Sequence, residues 1–362
     1  MNTVHVIVPD GVDDPARPSG GNTYDRRLCT GLTALGWEVH EHAVCPENRC
    51  GQAVFTPSAL SAVLAALPAD SGVLLDGLVA SDQAEVLHAE AGRLRLVVLV
   101  HLPLGLGVPD GGRADVRLRE AAALQCVAVV VTTSRWTRHW LLDAYGLDPA
   151  RVTVAVPGVD PAPLAARDDA GRRLLCVGAV IPAKGHDVLL EALARVARTR
   201  WVCTWVGSLD RDPDHVERLR VRAVELGVAD RVRFTGPLGG AGLEAAYTDA
   251  DLLVTASRGE TYGMAVTEAL AHGIPVLATR VGGLPEAVGR APGGRRPGIL
   301  VPPDDPGALA GALEQWLGDP GLRAHLHAAA DGRRAALPTW AQTSAEVDRV
   351  LAEVGAGRLR RW

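Results

Sequence analysis

The chain has 362 residues, 48 % of them apolar, and a formal net charge of −5. That length suits two domains better than one core, the apolar residues are spread widely enough to exclude large-scale disorder, and the acidic balance argues against nucleic-acid binding, which leaves a strong basic footprint. The start carries no secretory pattern, and the longest apolar runs, such as Leu96 to Val100 and Val127 to Val131, are too short to span a bilayer, so a soluble, cytoplasmic protein is expected.

Short apolar runs alternate with helical patterns along the whole chain. Strands are expected at Val4 to Val8, Trp37 to Ala43, Gly72 to Leu75, Leu96 to Val100, Ala128 to Thr132 and Val152 to Val156. A helix is expected over Thr23 to Leu35, with Leu28, Leu32 and Leu35 on one face. Pro157 to Arg173 is rich in Pro, Ala, Asp and Gly, has no apolar period, and reads as a linker. The pattern restarts with strands at Leu174 to Val177, Trp201 to Val206, Val232 to Thr235, Leu252 to Thr255 and Pro275 to Ala278. Such alternation gives parallel sheets with helices on both faces. The expected fold is α/β: two doubly wound domains, residues 1–160 and 171–340, facing across a cleft that is the default ligand site.

Four clusters invite a cation or lipid reading. His40, His42, Cys45 and Cys50 place four soft ligands close together, but the Cys-x4-Cys spacing and strand-like flank fit zinc poorly. The other cysteines lie singly in apolar stretches, as buried small hydrophobes do. The acidic run Asp210 to Asp214 has the spacing of a calcium loop, but His215 stands where glycine is required, so a surface loop is expected. Arg358, Arg360 and Arg361 form a short basic tail, read as a frayed end or a weak contact with acidic lipid. The helix around Arg135, Trp136, Arg138, His139 and Trp140 is a second candidate for such peripheral membrane contact, although packing with solvated arginines accounts for it equally.

Four segments carry chemistry. The first is Ser19-Gly20-Gly21-Asn22, after the first strand and before the helix expected from Thr23; glycines there let backbone amides approach a phosphate. The second is His101, directly after the apolar strand ending at Val100, where open α/β sheets bind ligands. The third holds Lys184, the only lysine of the chain, in the turn between the strand ending at Val177 and a helix that Asp187 can cap. Every other permanently cationic side chain is arginine, and a compact ammonium suits a crowded phosphate pocket better than a planar fork. The fourth runs from Ser257 to Ala269. Tyr262 to Ala265 is expected to form the first turn of a helix, offering free amides to an anion. Glu268, about two turns beyond Glu260, sits among Met264, Val266, Ala269, Leu270 and Ala271, a poor place for an unpaired charge. Its carboxylate could accept bonds from two neighbouring hydroxyls, such as those of a ribose.

The pattern Glu260-x7-Glu268 with Gly263 inside, followed by His272-Gly273-Ile274-Pro275-Val276 and Val281-Gly282-Gly283-Leu284-Pro285-Glu286, resembles the retaining glycosyltransferases of family four, bacterial mannosyl- and glucosyltransferases among them. Thr133-Ser134, Arg231 to Gly236 and Gly298 to Asp305 extend the resemblance over most of the chain. It implies the GT-B architecture of two Rossmann-like domains, with a last helix, Thr343 to Val354 within residues 343–362, packing back on the first. It implies a hexose donor bound as a UDP- or GDP-sugar and a hydroxyl acceptor that is a small molecule, a glycan or a lipid. Glu268 would hold the ribose and Lys184 the diphosphate. Glu260 and the turn Thr261, Tyr262, Gly263, Met264 and Ala265 would hold the donor sugar, with amides also reaching the phosphate. Gly20 and Gly21 would approach the diphosphate, His101 would sit beneath the sugar near the reacting carbon, and the segment from Phe234 to Leu238 would lie near the base. No cofactor and no metal would be required.

One position departs from the family pattern. Where such enzymes carry an arginine after the glycine of the lysine loop, this chain has Ala179, losing a charge-assisted contact worth roughly 1.5–3 kcal/mol. Arg258 is a possible replacement from another loop. The competing readings are an epimerase of the same architecture, a nicotinamide oxidoreductase, for which the Gly-x-Gly-x-x-Gly turn is missing, and a binding protein that has lost turnover. The sequence identifies neither sugar, base nor acceptor, and the loop Gly105 to Gly112 carries no recognisable acceptor motif.

Overall fold

The computed structural model describes residues 2–16, 18–45, 47–49, 52–107 and 113–357. The chain divides into two units, one within residues 1–13, 19–158 and 338–362, the other within 14–18 and 159–337. Cys50, the residues 108–112 of the expected acceptor loop and the arginines of the basic tail lie outside the described residues.

The first unit contains β1 (Asn2–Pro9), β2 (Trp37–Val44), a small hairpin of β3 (Glu47–Arg49) and β4 (Gln52–Val54), then β5 (Gly72–Asp76), β6 (Arg95–Val100), β7 (Val129–Thr132) and β8 (Val152–Val154). Six of these make one parallel sheet in the order β2-β1-β5-β6-β7-β8. Strand β6 shows why the sheet is buried on both faces. After Arg95 it is wholly apolar; Val97 and Leu99 point into one core, while Leu96, Val98 and Val100 point into the other. The first of these cores is closed by Tyr24, Leu28 and Leu32 of the helix Gly20–Ala34 and by Val347, Val350, Leu351 and Val354 of the final helix Trp340–Gly355. Trp37 Nε1 donates to Asp348 at 2.7 Å and Thr343 Oγ1 to the Val156 carbonyl at 2.7 Å, which fixes the final helix on this unit.

The second unit contains β9 (Arg173–Val177), β10 (Val202–Val206), β11 (Val232–Gly236), β12 (Leu252–Thr255), β13 (Val276–Thr279) and β14 (Gly298–Val301). Its parallel sheet has the order β11-β10-β9-β12-β13-β14, that of dinucleotide-binding folds. Strand β14 was not expected; it opens on glycine directly after Pro297, both of which interrupt a strand pattern. The linker is irregular but not loose: the Ala165 and Ala166 amides donate to the carbonyls of His272 and Thr248 at 2.9 and 2.8 Å. The acidic run is a surface bend over Asp210 to Asp212, as expected, and runs directly into a helix start: Asp212 Oδ1 accepts from the His215 amide and caps Pro213–Glu225.

Strand order places the chemistry. It reverses between β9 and β12 in the second unit and between β1 and β5 in the first. Ligand crevices of open α/β sheets form at the carboxyl ends of the strands flanking such a reversal.

Candidate functional site

In the second unit, the loops following β9 and β12 meet at that reversal. The backbone from Gly178 to Val180 is pinned to the neighbouring loop by Gly178 N–H to Val206 O and Val180 N–H to Ser208 O, at 2.8 and 2.9 Å. A short 3-10 turn, Pro182–Lys184, follows, and Gly185 in the left-handed region (φ 65°) turns the chain into the helix His186–Arg195. Gly185, not Asp187, occupies the capping position, because the helix begins at His186 and places Asp187 inside its first turn, where the carboxylate is engaged by Arg258.

The turn aims Lys184 Nζ at Glu260 Oε1, to which it is hydrogen-bonded. Ser257 Oγ donates to the same oxygen at 3.1 Å. Both partners remain within reach of solvent, the lysine side chain at 28 % and the glutamate at 16 %. Glycine has a clear reason in the neighbouring Val281 to Leu284 turn. Gly282 has φ 52°, and a Cβ there would stand 1.8 Å from the Glu260 carbonyl oxygen, while the Gly283 amide donates to that oxygen at 2.8 Å. The turn therefore holds the Glu260 backbone by close approach.

The helix carrying Glu268 starts later than expected. It runs Met264–Ala271 with Gly263 (φ 99°) at its N-cap and no side chain capping it. Thr261 and Tyr262 lie in the bend before it, because the left-handed glycine delays the first helical residue. Met264 and Ala265 do lie in its first turn. Glu268 does not share a partner with Glu260. Its Oε2 accepts from Tyr247 Oη at 2.6 Å, and Tyr247 is a buried residue of the helix Gly240–Thr248 that the sequence did not single out. Burial raises the Glu268 carboxyl above its ordinary range; the Tyr247 bond opposes this and the Asp160 charge adds to it. Leu238 lies in the loop after β11, partly buried, beside Gly242. Phe234 packs edge-on against Trp205, with Arg220 over its ring.

Arg258 does not replace the arginine absent at Ala179. Its guanidinium donates to both oxygens of Asp187, to Asp304 and to the Pro182 carbonyl, and its own amide donates to Ala183 O. It clamps the lysine turn from outside rather than offering free donors.

In the first unit, Ser19 Oγ accepts from the Asn22 amide at 3.1 Å, so the helix begins at Gly20 rather than Thr23. Gly20 and Gly21 thus form its first turn. His101 follows β6 as expected and packs on that turn: a Cβ on Gly21 would lie 3.3 Å from its Cδ2. Its Nε2 is 2.8 Å from Asp25 Oδ1 and 3.9 Å from Asp76 Oδ2. Burial disfavours charge on this ring, but the Asp25 charge and hydrogen bond, with Asp76 behind them, outweigh it and push the imidazole up to about 9. Burial pushes the Asp76 carboxyl up to about 7; His101 opposes this and Asp25 adds to it. Neither aspartate stood out in the sequence, although Asp76 ends an apolar strand at the same sheet edge as His101.

Among the described residues, Asp25, Asp76 and His101 are the one group of such ligands within 4.8 Å of one another, and the Asp25–His101 hydrogen bond already satisfies the pair with a proton. His40 and His42 lie on β2, where His42 Nε2 meets His5 Nδ1 at 3.0 Å, and Cys45 is exposed beyond the strand. No helix among the described residues is long and apolar enough to cross a membrane.

The chain matches the family model of glycosyl transferases group 1 over residues 171–319 and that of glycosyltransferase family 4 over residues 18–163. It is 31 % identical to the D-inositol 3-phosphate glycosyltransferase of Jonesia denitrificans, over 92 % of this chain and 84 % of that protein. It is 36 % identical to the protein of the same name from Acidothermus cellulolyticus, over 60 % of this chain and about half (51 %) of that one. In fold it is similar to sucrose-phosphate synthase from Thermosynechococcus elongatus, with a TM-score of 0.79 at 22 % identity, covering 99 % of this chain and 100 % of the other. Anabaena Alr3699/HepE, solved with UDP and glucose, gives a TM-score of 0.76 at 17 % identity, covering 98 % and 100 %.

Proposed function

The chain belongs to glycosyltransferase family 4, and from that premise we propose a retaining hexosyl transfer from a nucleoside-diphosphate sugar, with the donor held at the carboxyl edge between β9 and β12. The observation that carries the assignment is the hydrogen bond from Lys184 to Glu260 at the strand-order reversal. It puts the only lysine of the chain on a carboxylate four residues ahead of Met264–Ala271, a helix whose first turn has no side-chain cap.

Each residue then has a role set by its chemistry. Lys184 and the amides of Met264 and Ala265 face the diphosphate, where negative charge grows as the glycosidic bond breaks. Glu260, with Thr261, Tyr262 and Gly263, holds the donor sugar. Glu268, oriented by Tyr247, accepts from the ribose hydroxyls, and the loop through Leu238 lies by the base. In the first unit, His101 is assigned to the sugar and Gly20 and Gly21 to the diphosphate.

The carbon–oxygen bond to the β-phosphate breaks with its electron pair going to phosphate. The acceptor oxygen forms its bond on the same face of the oxocarbenium-like sugar, and its proton passes to the leaving phosphate. Fixed cation and helix amides supply the charge stabilisation, so the reaction proceeds without a metal.

The relatives are named for a phosphorylated inositol, which makes D-inositol 3-phosphate the first acceptor to assay. The test is a thermal-shift screen of UDP-, GDP- and ADP-hexoses, followed by transfer assays with the stabilising donor, with and without EDTA. One donor family raises the midpoint and is turned over in EDTA. No stabilisation by any nucleotide sugar would overturn the donor assignment.

A further inference from the structure

Asp25 and Asp76 have no part in the roles assigned above, yet they are the groups His101 touches. Asp25 lies on the helix Gly20–Ala34, one turn beyond the glycines, and is 4 % exposed; Asp76 ends β5 and is 6 % exposed. Their order in the chain gives no hint of contact, but β5 sits between β1 and β6, so the three carboxyl ends bring Asp25, Asp76 and His101 together.

We propose that Asp25 is the positioning residue for His101: it accepts the Nε2–H hydrogen bond, fixes the ring against Gly21, and leaves Nδ1–H as a donor, so that His101 presents a hydrogen-bond donor to the sugar and does not act as a base. The proposal rests on the assignment of His101 to the donor sugar.

Charge balance supports it. Two buried carboxylates need a cation or a proton. The adjacent Arg26 is turned away, bonded to Asp13 and Glu41. The Tyr24 ring lies in a T-shaped contact with His101, and its hydroxyl donates to the Ala155 carbonyl at 2.9 Å. Imidazolium is then the counter-charge the site itself supplies. Asp76 Oδ1 is occupied by the Leu78 amide at 2.6 Å. Asp25 Oδ2 is buried with no hydrogen-bond partner; a proton resting on Asp76 would supply one. The direction of both titrations, His101 up and Asp76 up, agrees with this arrangement. Glycine at position 21 gains a second reason, since any larger residue would push on the ring that Asp25 holds.

The experiment uses the full-length protein labelled with 13Cε1-histidine, with the His101 resonance identified by its loss in His101→Gln. In the wild type it titrates well above the ordinary value of 6.5, near 9. In Asp25→Asn it titrates at or below 6.5, while the remaining histidine resonances and the circular dichroism stay unchanged. In transfer assays Asp25→Asn loses about 10- to 100-fold in kcat with donor KM nearly constant, and the double variant with His101→Gln loses little more than either single one. Asp76→Asn, which keeps the shape of the site, preserves the Asp25-dependent shift in reduced form.

A wild-type His101 titrating at or below 6.5 overturns the proposal. So does an Asp25→Asn enzyme with wild-type kcat, or activity that EDTA removes and a divalent ion restores through these residues. The resonance is read without turnover, so failure of the donor assignment leaves this test intact. Conversely, normal transfer with an unshifted His101 sinks the positioning role alone.

Discussion

Lys184 and Glu260, seventy-six positions apart, are hydrogen-bonded at the carboxyl edge of one parallel sheet, with Ser257 donating to the same carboxylate oxygen. The pair is partly open to solvent, so a phosphate can compete for the ammonium without unfolding the loop. Lys184→Ala is therefore expected to lower kcat/KM by at least about 100-fold, the scale of a fixed charge lost from a developing anion. Lys184→Arg keeps the charge but not the compact shape, and should lose a good part of the activity. Steady-state kinetics with the donor found by thermal shift checks both, and wild-type rates for the alanine variant would remove Lys184 from the site.

The Tyr247–Glu268 bond gives a second expectation. Glu268 is assigned to the ribose, and the Tyr247 hydroxyl sets its orientation and counters the effect of burial on its ionisation. Glu268→Ala should weaken nucleotide binding by tenfold or more. Tyr247→Phe removes one hydrogen bond to a charged group, roughly 1.5–3 kcal/mol at most, and should weaken binding by about tenfold with little change in kcat. Titration calorimetry with the free nucleoside diphosphate reads both; unchanged affinity in Glu268→Ala would count against the ribose role.

Lys184, Glu260 and Glu268 were legible because each is conspicuous in its local stretch: a sole lysine in a strand–turn–helix, and carboxylates at fixed spacing in an apolar segment. The alternation of apolar runs likewise located the strands from β1 to β13 apart from the hairpin, to within one or two residues at most ends. Partners that depend on packing were not legible. Tyr247 meets Glu268 only because two helices lie side by side. Asp25, next to Arg26 and Arg27, reads as an ordinary surface acid until strand order brings it to His101. Helix starts were misplaced where a neighbour decided them: Ser19 drew one start back to Gly20, and the left-handed Gly263 delayed the other to Met264. Arg258 was free on paper and bound in space.

Gly282 tests whether the Glu260 backbone is held by close approach. A methyl group at that position would lie 1.8 Å from the Glu260 carbonyl oxygen, which cannot yield as a flexible side chain could, and φ 52° adds strain for any L-residue with a Cβ. Gly282→Ala should destabilise the protein by about 2–4 kcal/mol and shift the Lys184–Glu260 pair, so donor KM rises even where the variant is fully folded. Gly311→Ala, in the helix Pro306–Gly318 of the same unit with open space around it, is the control: it should leave donor KM unchanged and raise stability by up to about 1 kcal/mol, as alanine does in a helix interior. Thermal unfolding together with donor KM measured well below the midpoint separates stability from site geometry.

The Asp25–Asp76–His101 cluster makes stability depend on pH in a stated direction. His101 is raised from 6.5 to about 9 in the folded chain. Between those values the native state holds a proton that the unfolded state has released, so the stabilisation is complete below pH 6.5 and is lost as pH rises through 9. Asp76, raised from 3.8 to about 7, acts with the same sign in the lower window, since there too the folded chain binds the extra proton. The His101 contribution is on the order of 3 kcal/mol, its side chain being only 16 % exposed. Removing the Asp25 charge removes the main cause of the shift. The urea-unfolding midpoint of the wild type is therefore expected to fall from pH 6.5 to pH 9, and that of Asp25→Asn to fall much less over the same range. Because other groups titrate equally in both proteins, the difference between the two curves isolates the cluster. Parallel curves would mean that Asp25 and His101 do not share a charge-stabilised proton in the folded state.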